Sequence, residues 1–168
     1  MKKILFVIII LSVLQSCGEK NAVYKPESSG RINSITVVLD NKSWDNKIGD
    51  KIRTLYADEF MGLPQIEERF TLKQMPYETF DGFSRTSRNI IFINKKSELD
   101  YEFQKNKFAN PQIYLEIRGT SLQSIIEQLD LSSNEAIRKF SNGEIEENKR
   151  RILKLSLIHI SEPTRRRG

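Results

Sequence analysis

The sequence predicts an α+β domain: an antiparallel sheet of about four strands with helices on one face, related to a ferredoxin-like arrangement but incomplete. Two observations predict it. The elements run strand, helix, strand, strand, strand, helix, helix, and three successive strands without an intervening helix favour antiparallel pairing. No stretch of 20 to 50 residues repeats, which excludes a solenoid or propeller. A ferredoxin-like sheet would need one more strand after the last helix.

Residues 31–40 form the first expected strand, with Ile35, Val37 and Leu39 on one face and Thr36 and Val38 on the other. Ser43 can cap a helix over residues 43–60, along which Trp44, Ile48, Ile52, Leu55 and Tyr56 recur at helical spacing. Gly49 inside it weakens that helix by about 1 kcal/mol relative to alanine. Gly62 and Pro64 stop it. Residues 70–75 alternate, with Phe70 and Leu72 on one side, and read as the second strand, ended by Pro76. Residues 77–83 are aromatic and irregular, with a turn at Asp81-Gly82. The apolar run 89–93 suits a central strand. Residues 95–110 are polar with scattered aromatics and read as a loop; residues 112–118 form the fourth strand, with Ile113, Leu115 and Ile117 on one face. A helix follows on Leu122, Ile125, Ile126 and Leu129. Ser132 and Glu135 then form a capping box that opens a second helix, whose apolar stripe is Ile137, Phe140, Ile145 and Ile152. Gly143 is a possible kink, and Glu144, Glu146 and Glu147 with Lys149, Arg150 and Arg151 read as the solvated face.

Both ends stand apart from this domain. Lys2 and Lys3 precede an apolar stretch at residues 4–14, and Leu14-Gln15-Ser16-Cys17 closes it. That is the layout of a secretory signal, and the apolar stretch is shorter than the about 20 residues of a transmembrane helix. The Leu-x-Ser-Cys ending resembles a bacterial lipobox, in which the cysteine is lipidated, so residues 1–16 are expected to be removed and Cys17 to carry the lipid. Residues 17–30 then serve as the lipidated cysteine and a flexible, polar tether. Residues 155–165 resemble the translation of a transposon-end sequencing adapter, so 155–168 are expected to be a non-native tail and the domain at 31–154 to be truncated.

The net charge of +5 comes mostly from these ends: Lys2, Lys3 and the Arg165–Arg167 run, offset by Glu162, leave +1 for residues 17–154. A near-neutral body lacks the electrostatic footprint of a nucleic-acid binder. The single histidine, His159, lies in the tail, and the single cysteine, Cys17, is assigned to lipid. The body therefore offers no His-based triad, no cysteine nucleophile and no Cys/His zinc site. No catalytic residue, metal site or cofactor is expected.

Three weaker constellations remain. Ser84-Arg85-Thr86-Ser87-Arg88 is rich in hydroxyls and guanidinium forks, and Arg85 and Arg88 could hold a carboxylate or phosphate; a solvated turn is the commoner meaning of such a run. Asp40, at a strand end, could bind a ligand or, with Asn41 and Asp45, a divalent ion, although turn chemistry and capping explain the same residues. Tyr77, Phe80 and Phe83, with Trp44, could form a ligand platform, or simply pack.

The lipobox, Gly30-Arg31-Ile32, the Trp44 helix and Arg88-Asn89-Ile90-Ile91-Phe92-Ile93 together resemble an uncharacterised family of Gram-negative envelope lipoproteins built on a domain of unknown function. The resemblance implies neither an activity nor functional residues. The expected function is a non-enzymatic binding module, anchored by lipid in the cell envelope, more often at the outer than the inner membrane. Its domain would face the periplasm or the cell surface, with an envelope protein as a possible partner and no nucleic acid. The rival expectation is a hydrolase-like enzyme whose site is completed by a missing C-terminal region.

Overall fold

The computed structural model describes residues 24–58, 68–95 and 98–161, with side chains described as far as Ser156. The leader, Cys17, and Leu157 and Ile160 of the tail lie outside the described side chains. Among the described residues no helix is long and apolar enough to cross a membrane.

The chain is α+β, but its sheet has five strands and is mostly parallel, which corrects the expectation of four antiparallel strands. The strands are β1 (Ser34–Val38), β2 (Thr71–Met75), β3 (Asn89–Asn94), β4 (Asp100–Lys105) and β5 (Ile113–Arg118). Their spatial order is β2-β1-β3-β5-β4, with only β4 antiparallel to its neighbour. Parallel neighbours need a crossover of about a dozen residues, usually through a helix. Residues 76–88 make such a crossover from β2 to β3 with two 3-10 turns, Tyr77–Thr79 and Gly82–Thr86, and no α-helix. Strand β4 lies where a loop was expected. Its alternation of Tyr101 and Phe103 with polar residues is that of a half-buried edge strand, and Lys139 covers the Phe103 ring at 4.7 Å.

The first helix is two. Asp40, not Ser43, caps α1 (Asn41–Trp44), its carboxylate accepting from the Ser43 amide at 2.9 Å. Asn46 caps α2 (Lys47–Tyr56). The break folds the Trp44 carbonyl onto Gly49, where a Cβ would lie 1.9 Å from that oxygen. Gly49 is therefore required by a close backbone approach and is not a weak point in a continuous helix.

The last two expected helices are one, α3 (Leu122–Ser161). Ser132 and Ser133 do not cap a new helix; their hydroxyls donate back to the Leu129 and Asp130 carbonyls, and both are buried. The helix also runs through Gly143.

The helices share one face of the sheet, as expected. Ile35, Val37, Ile91, Ile93, Leu115 and Ile117 from the strands, with Leu39 just after β1, meet Ile48, Ile52, Tyr56, Ile125, Leu129, Ala136 and Phe140 from the helices. The opposite face carries a smaller cluster of Val38, Ile90, Phe92 and Tyr114, covered by Tyr77, Phe80 and Phe108. Tyr77 and Phe80 thus pack as core, while Phe83 is 80% exposed. Trp44 packs on the helical face under Arg53, so the four aromatics do not form one platform.

Residues 26–30, expected to belong to a flexible tether, are pinned to the domain. Ser28 donates to the Asn110 carbonyl, Ser29 to that of Thr86, and Asn110 to that of Pro26.

Candidate functional site

Asp40 lies at the carboxyl end of β1, and Arg88 just before β3, a strand parallel to it, so the two sit at opposite ends of the sheet. At the Asp40 end, burial alone would raise its carboxyl, but hydrogen bonds from Lys95 and Ser43 outweigh this and hold its pKa below the usual value. Lys95 also donates to the Ser43 hydroxyl. The Asn41 side-chain oxygen accepts from Gln74 at 2.9 Å, and Asp45 ends α1. These contacts make the cluster a cap and a tie between β1 and β3. Among the described residues no three His, Cys, Asp or Glu side chains converge as a metal site.

Arg85 and Arg88 also part company. Arg85 is exposed, donates to the Phe80 carbonyl at 3.1 Å, and lies over the Phe80 and Phe108 rings. Arg88 is 3% exposed, far from a solvated turn. Its amide donates to the Ser29 carbonyl and its own carbonyl accepts from Ile113, which wedges it between the entry segment and β5. The side chain turns towards α3. Nε and Nη2 donate to the two Glu144 carboxylate oxygens at 2.8 and 3.2 Å, and Nη2 also reaches the Arg31 carbonyl at 2.9 Å. Glu144 is filled further by Asn89 at 2.6 Å and the Asn33 amide at 3.0 Å. The guanidinium fork at 88 does bind a carboxylate, as the residue type suggested, but the carboxylate is the chain's own.

One turn along α3, Glu147 collects Arg150 at 2.9 and 3.1 Å and Arg151 at 2.7 Å. The Arg150 hydrogen bonds hold the Glu147 carboxyl down at a pKa of about 2; burial opposes them, and Arg151 and Arg88 add to them. Arg150 also pairs with Glu27, and Arg151 reaches the Gly30 carbonyl at 3.3 Å. Gly30 has φ +118, a backbone that L side chains rarely adopt, so it is the residue that can present its carbonyl there. The network joins the entry segment, β3 and α3.

Glu144 and Glu147, read from the sequence as a solvated face, are each 3% exposed and are the residues sequence reasoning missed. Their signal was positional: they continue the buried stripe of Ala136 and Phe140 at steps of three and four.

Beside this network opens a pocket of about 460 Å³ at the amino end of β5, walled by Ile113, Pro111 and Gly143. Lys105, Asn106 and Asn110 face it, as do Arg88, Glu147 and Arg150. The Arg88 Nη1 atom is buried without a hydrogen-bond partner and lies 3.7 Å from Glu147. Glu147 lines this pocket, whereas Glu144, Gly30 and Arg31, on the other edge of the guanidinium, do not. The Nη1 edge lies on the Glu147 side of the guanidinium, the side of the pocket-lining carboxylate. A second groove of about 430 Å³ lies on the sheet face away from the helices, over Ser34, Thr36, Thr71 and Lys73. Its hydroxyls are largely engaged: Thr36 donates to Ser87, and Ser87 to the Ser84 carbonyl.

No curated protein and no solved structure matches the chain significantly. Residues 28–153 match the model of a domain of unknown function (DUF8532), a span that begins within the pinned entry segment and takes in all five strands and most of α3. That match covers most of the chain, and the protein belongs to this domain family.

Proposed function

We propose that the protein is a lipid-anchored envelope lipoprotein of Gram-negative type whose domain binds a ligand or envelope partner without transforming it. Support for the address is the charged start, short apolar stretch and Leu14-Gln15-Ser16-Cys17 ending. Lipobox cysteines carry more than one acyl chain, and two or more chains make anchoring stable where one does not. The outer membrane is the favoured site, with the domain in the periplasm or at the cell surface.

The observation that carries the binding reading is the pocket beside Arg88: a concave site rich in donors, with a buried guanidinium edge that lacks an acceptor. Its side chains are lysine, arginine, amides and two carboxylates already held by cations, which suit recognition. A nucleophile with a positioned base is not among them.

The test of the address is intact-mass analysis of the protein from native membranes, with Cys17→Ala alongside. The expected result is an acylated chain beginning at Cys17, and release of the variant from the membrane fraction. A mature protein found free in solution with Cys17 unmodified would sink the reading.

A further inference from the structure

We propose that the pocket beside Arg88 receives a terminal carboxylate, seated between the Lys105 ammonium and the Nη1 edge of Arg88, which is buried without a hydrogen-bond acceptor. This rests on the binding reading above and names the chemistry of the ligand.

The charge balance inside the pocket supports an anion. Lys105 is exposed and has no ion-pair partner among the described residues. Lys25, outside the pocket lining, donates to the Asn106 carbonyl. The two acids on the wall are spent: Glu147 on Arg150 and Arg151, and Glu146 on Lys149 at 2.9 Å. What is left over is positive charge and N–H donors.

The second support is the orphan donor. A buried guanidinium N–H without an acceptor is costly, and native structures usually supply one. Nη1 is covered, and the Glu147 carboxylate at 3.7 Å is beyond hydrogen-bond reach, so a carboxylate oxygen completes it when the side chains at the pocket wall shift to admit the oxygen or a bridging water. A carboxylate offers two oxygens in one plane, one for the Arg88 edge and one for Lys105. A neutral amide or alcohol meets the donors but leaves the charge unanswered. The wall of Ile113, Pro111 and Gly143 gives an apolar surface for a short aliphatic body behind the carboxylate. A side chain at 143 would intrude here, since a Cβ would lie 3.0 Å from the Ile113 Cδ1 atom.

The source of the carboxylate is either a small free acid or the C-terminus of a peptide. The experiment titrates the isotope-labelled full chain in detergent with N-acetyl-alanyl-alanine, with its C-terminal amide, and with propionate, following amide resonances. Shifts at Asn106, Ile113 and Gly143 with the free acid and not with the amide are expected. Saturation by propionate as well marks a small acid as sufficient; saturation by the peptide acid alone marks a peptide end. Lys105→Ala, at an exposed position that should leave the fold intact, is expected to weaken binding about tenfold or more, and raised salt to weaken it further. Equal binding of the amide, no shifts with either acid, or unchanged affinity in Lys105→Ala overturns the proposal. None of these outcomes bears on acylation at Cys17, so the ligand class and the envelope address fail separately.

Discussion

Removing the Glu144 carboxylate is the sharpest perturbation of this fold. The side chain is 3% exposed and receives Arg88 through two nitrogens, Asn89 and the Asn33 amide. Glu144→Ala leaves the Arg88 guanidinium buried, with the Arg31 carbonyl at 2.9 Å, the Gly30 carbonyl at 3.4 Å and Glu147 at 3.7 Å as its remaining partners. Breaking one side of a buried pair costs about 3–5 kcal/mol, because the stranded charge stays out of water. A chain of this length loses about 2–4 °C of melting temperature per kcal/mol, so a fall of ~6–20 °C is expected. Replacing both partners, Arg88→Met with Glu144→Leu, removes the stranded charge; the double variant is expected to be more stable than the Arg88→Met and Glu144→Leu losses added together, by about 1–3 kcal/mol. It does not return to wild type, since the Asn33 amide and the Arg31 carbonyl lose their partners. Urea unfolding read by the single tryptophan, Trp44, and by far-UV circular dichroism measures all four corners of the cycle. A Glu144→Ala loss below about 1 kcal/mol, or strictly additive singles, would refute the reasoning, because surface pairs behave in that way.

Two further outcomes follow from local geometry. Gly49→Ala should destabilise by at least about 1–3 kcal/mol, because its Cβ would sit 1.9 Å from the Trp44 carbonyl oxygen; helix propensity alone predicts a gain of about 1 kcal/mol, so the sign of the change in melting temperature decides. Glu147 has a folded pKa of about 2, below its unfolded value near 4.5. The unfolded chain therefore binds the extra proton between those values, and the contribution of Glu147, ~3 kcal/mol, is present above pH 4.5 and is lost as pH falls towards 2. Glu147→Gln should flatten this acid limb in unfolding curves taken from pH 6 down to pH 2; an unchanged slope counts against the assignment.

Local alternation located the strands well where one face is buried. Ile35, Val37 and Leu39, and Leu115 with Ile117, lie on the helical face as their spacing implied, and the run Ile90–Ile93 is central in the sheet. Strand direction was not legible. The inference from helix-free connections to antiparallel pairing assumes that a parallel crossover needs a helix, and residues 76–88 make one with 3-10 turns whose aromatics cover the second sheet face. Likewise β4 was hidden because an edge strand buries only Tyr101 and Phe103 partly, and its remaining residues match the composition of a loop.

The site was harder to read than the fold because it depends on a change of chemistry along one helix stripe. From Leu129 through Ala136 to Phe140 the inward stripe of α3 is apolar; at Glu144 and Glu147 it becomes acidic while remaining buried. A reading that follows apolar residues leaves the stripe there and moves to Ile145 and Ile152, which are 52% and 57% exposed. The geometry of the helix does not change at that point; the partner does. The sheet ends, and what faces the helix is the Arg88 guanidinium and the backbone of the entry segment, which acids satisfy and leucines would not. Arg88 was singled out from the sequence as a carboxylate binder, and Glu144 was set aside as solvated surface. Each half was visible, but their pairing across 56 residues of chain was not, since it depends on β3 starting where α3 crosses the end of the sheet. The same crossing leaves the buried Nη1 atom of that guanidinium without a hydrogen-bond acceptor beside the Lys105 pocket, and the proposed anion site rests on that donor.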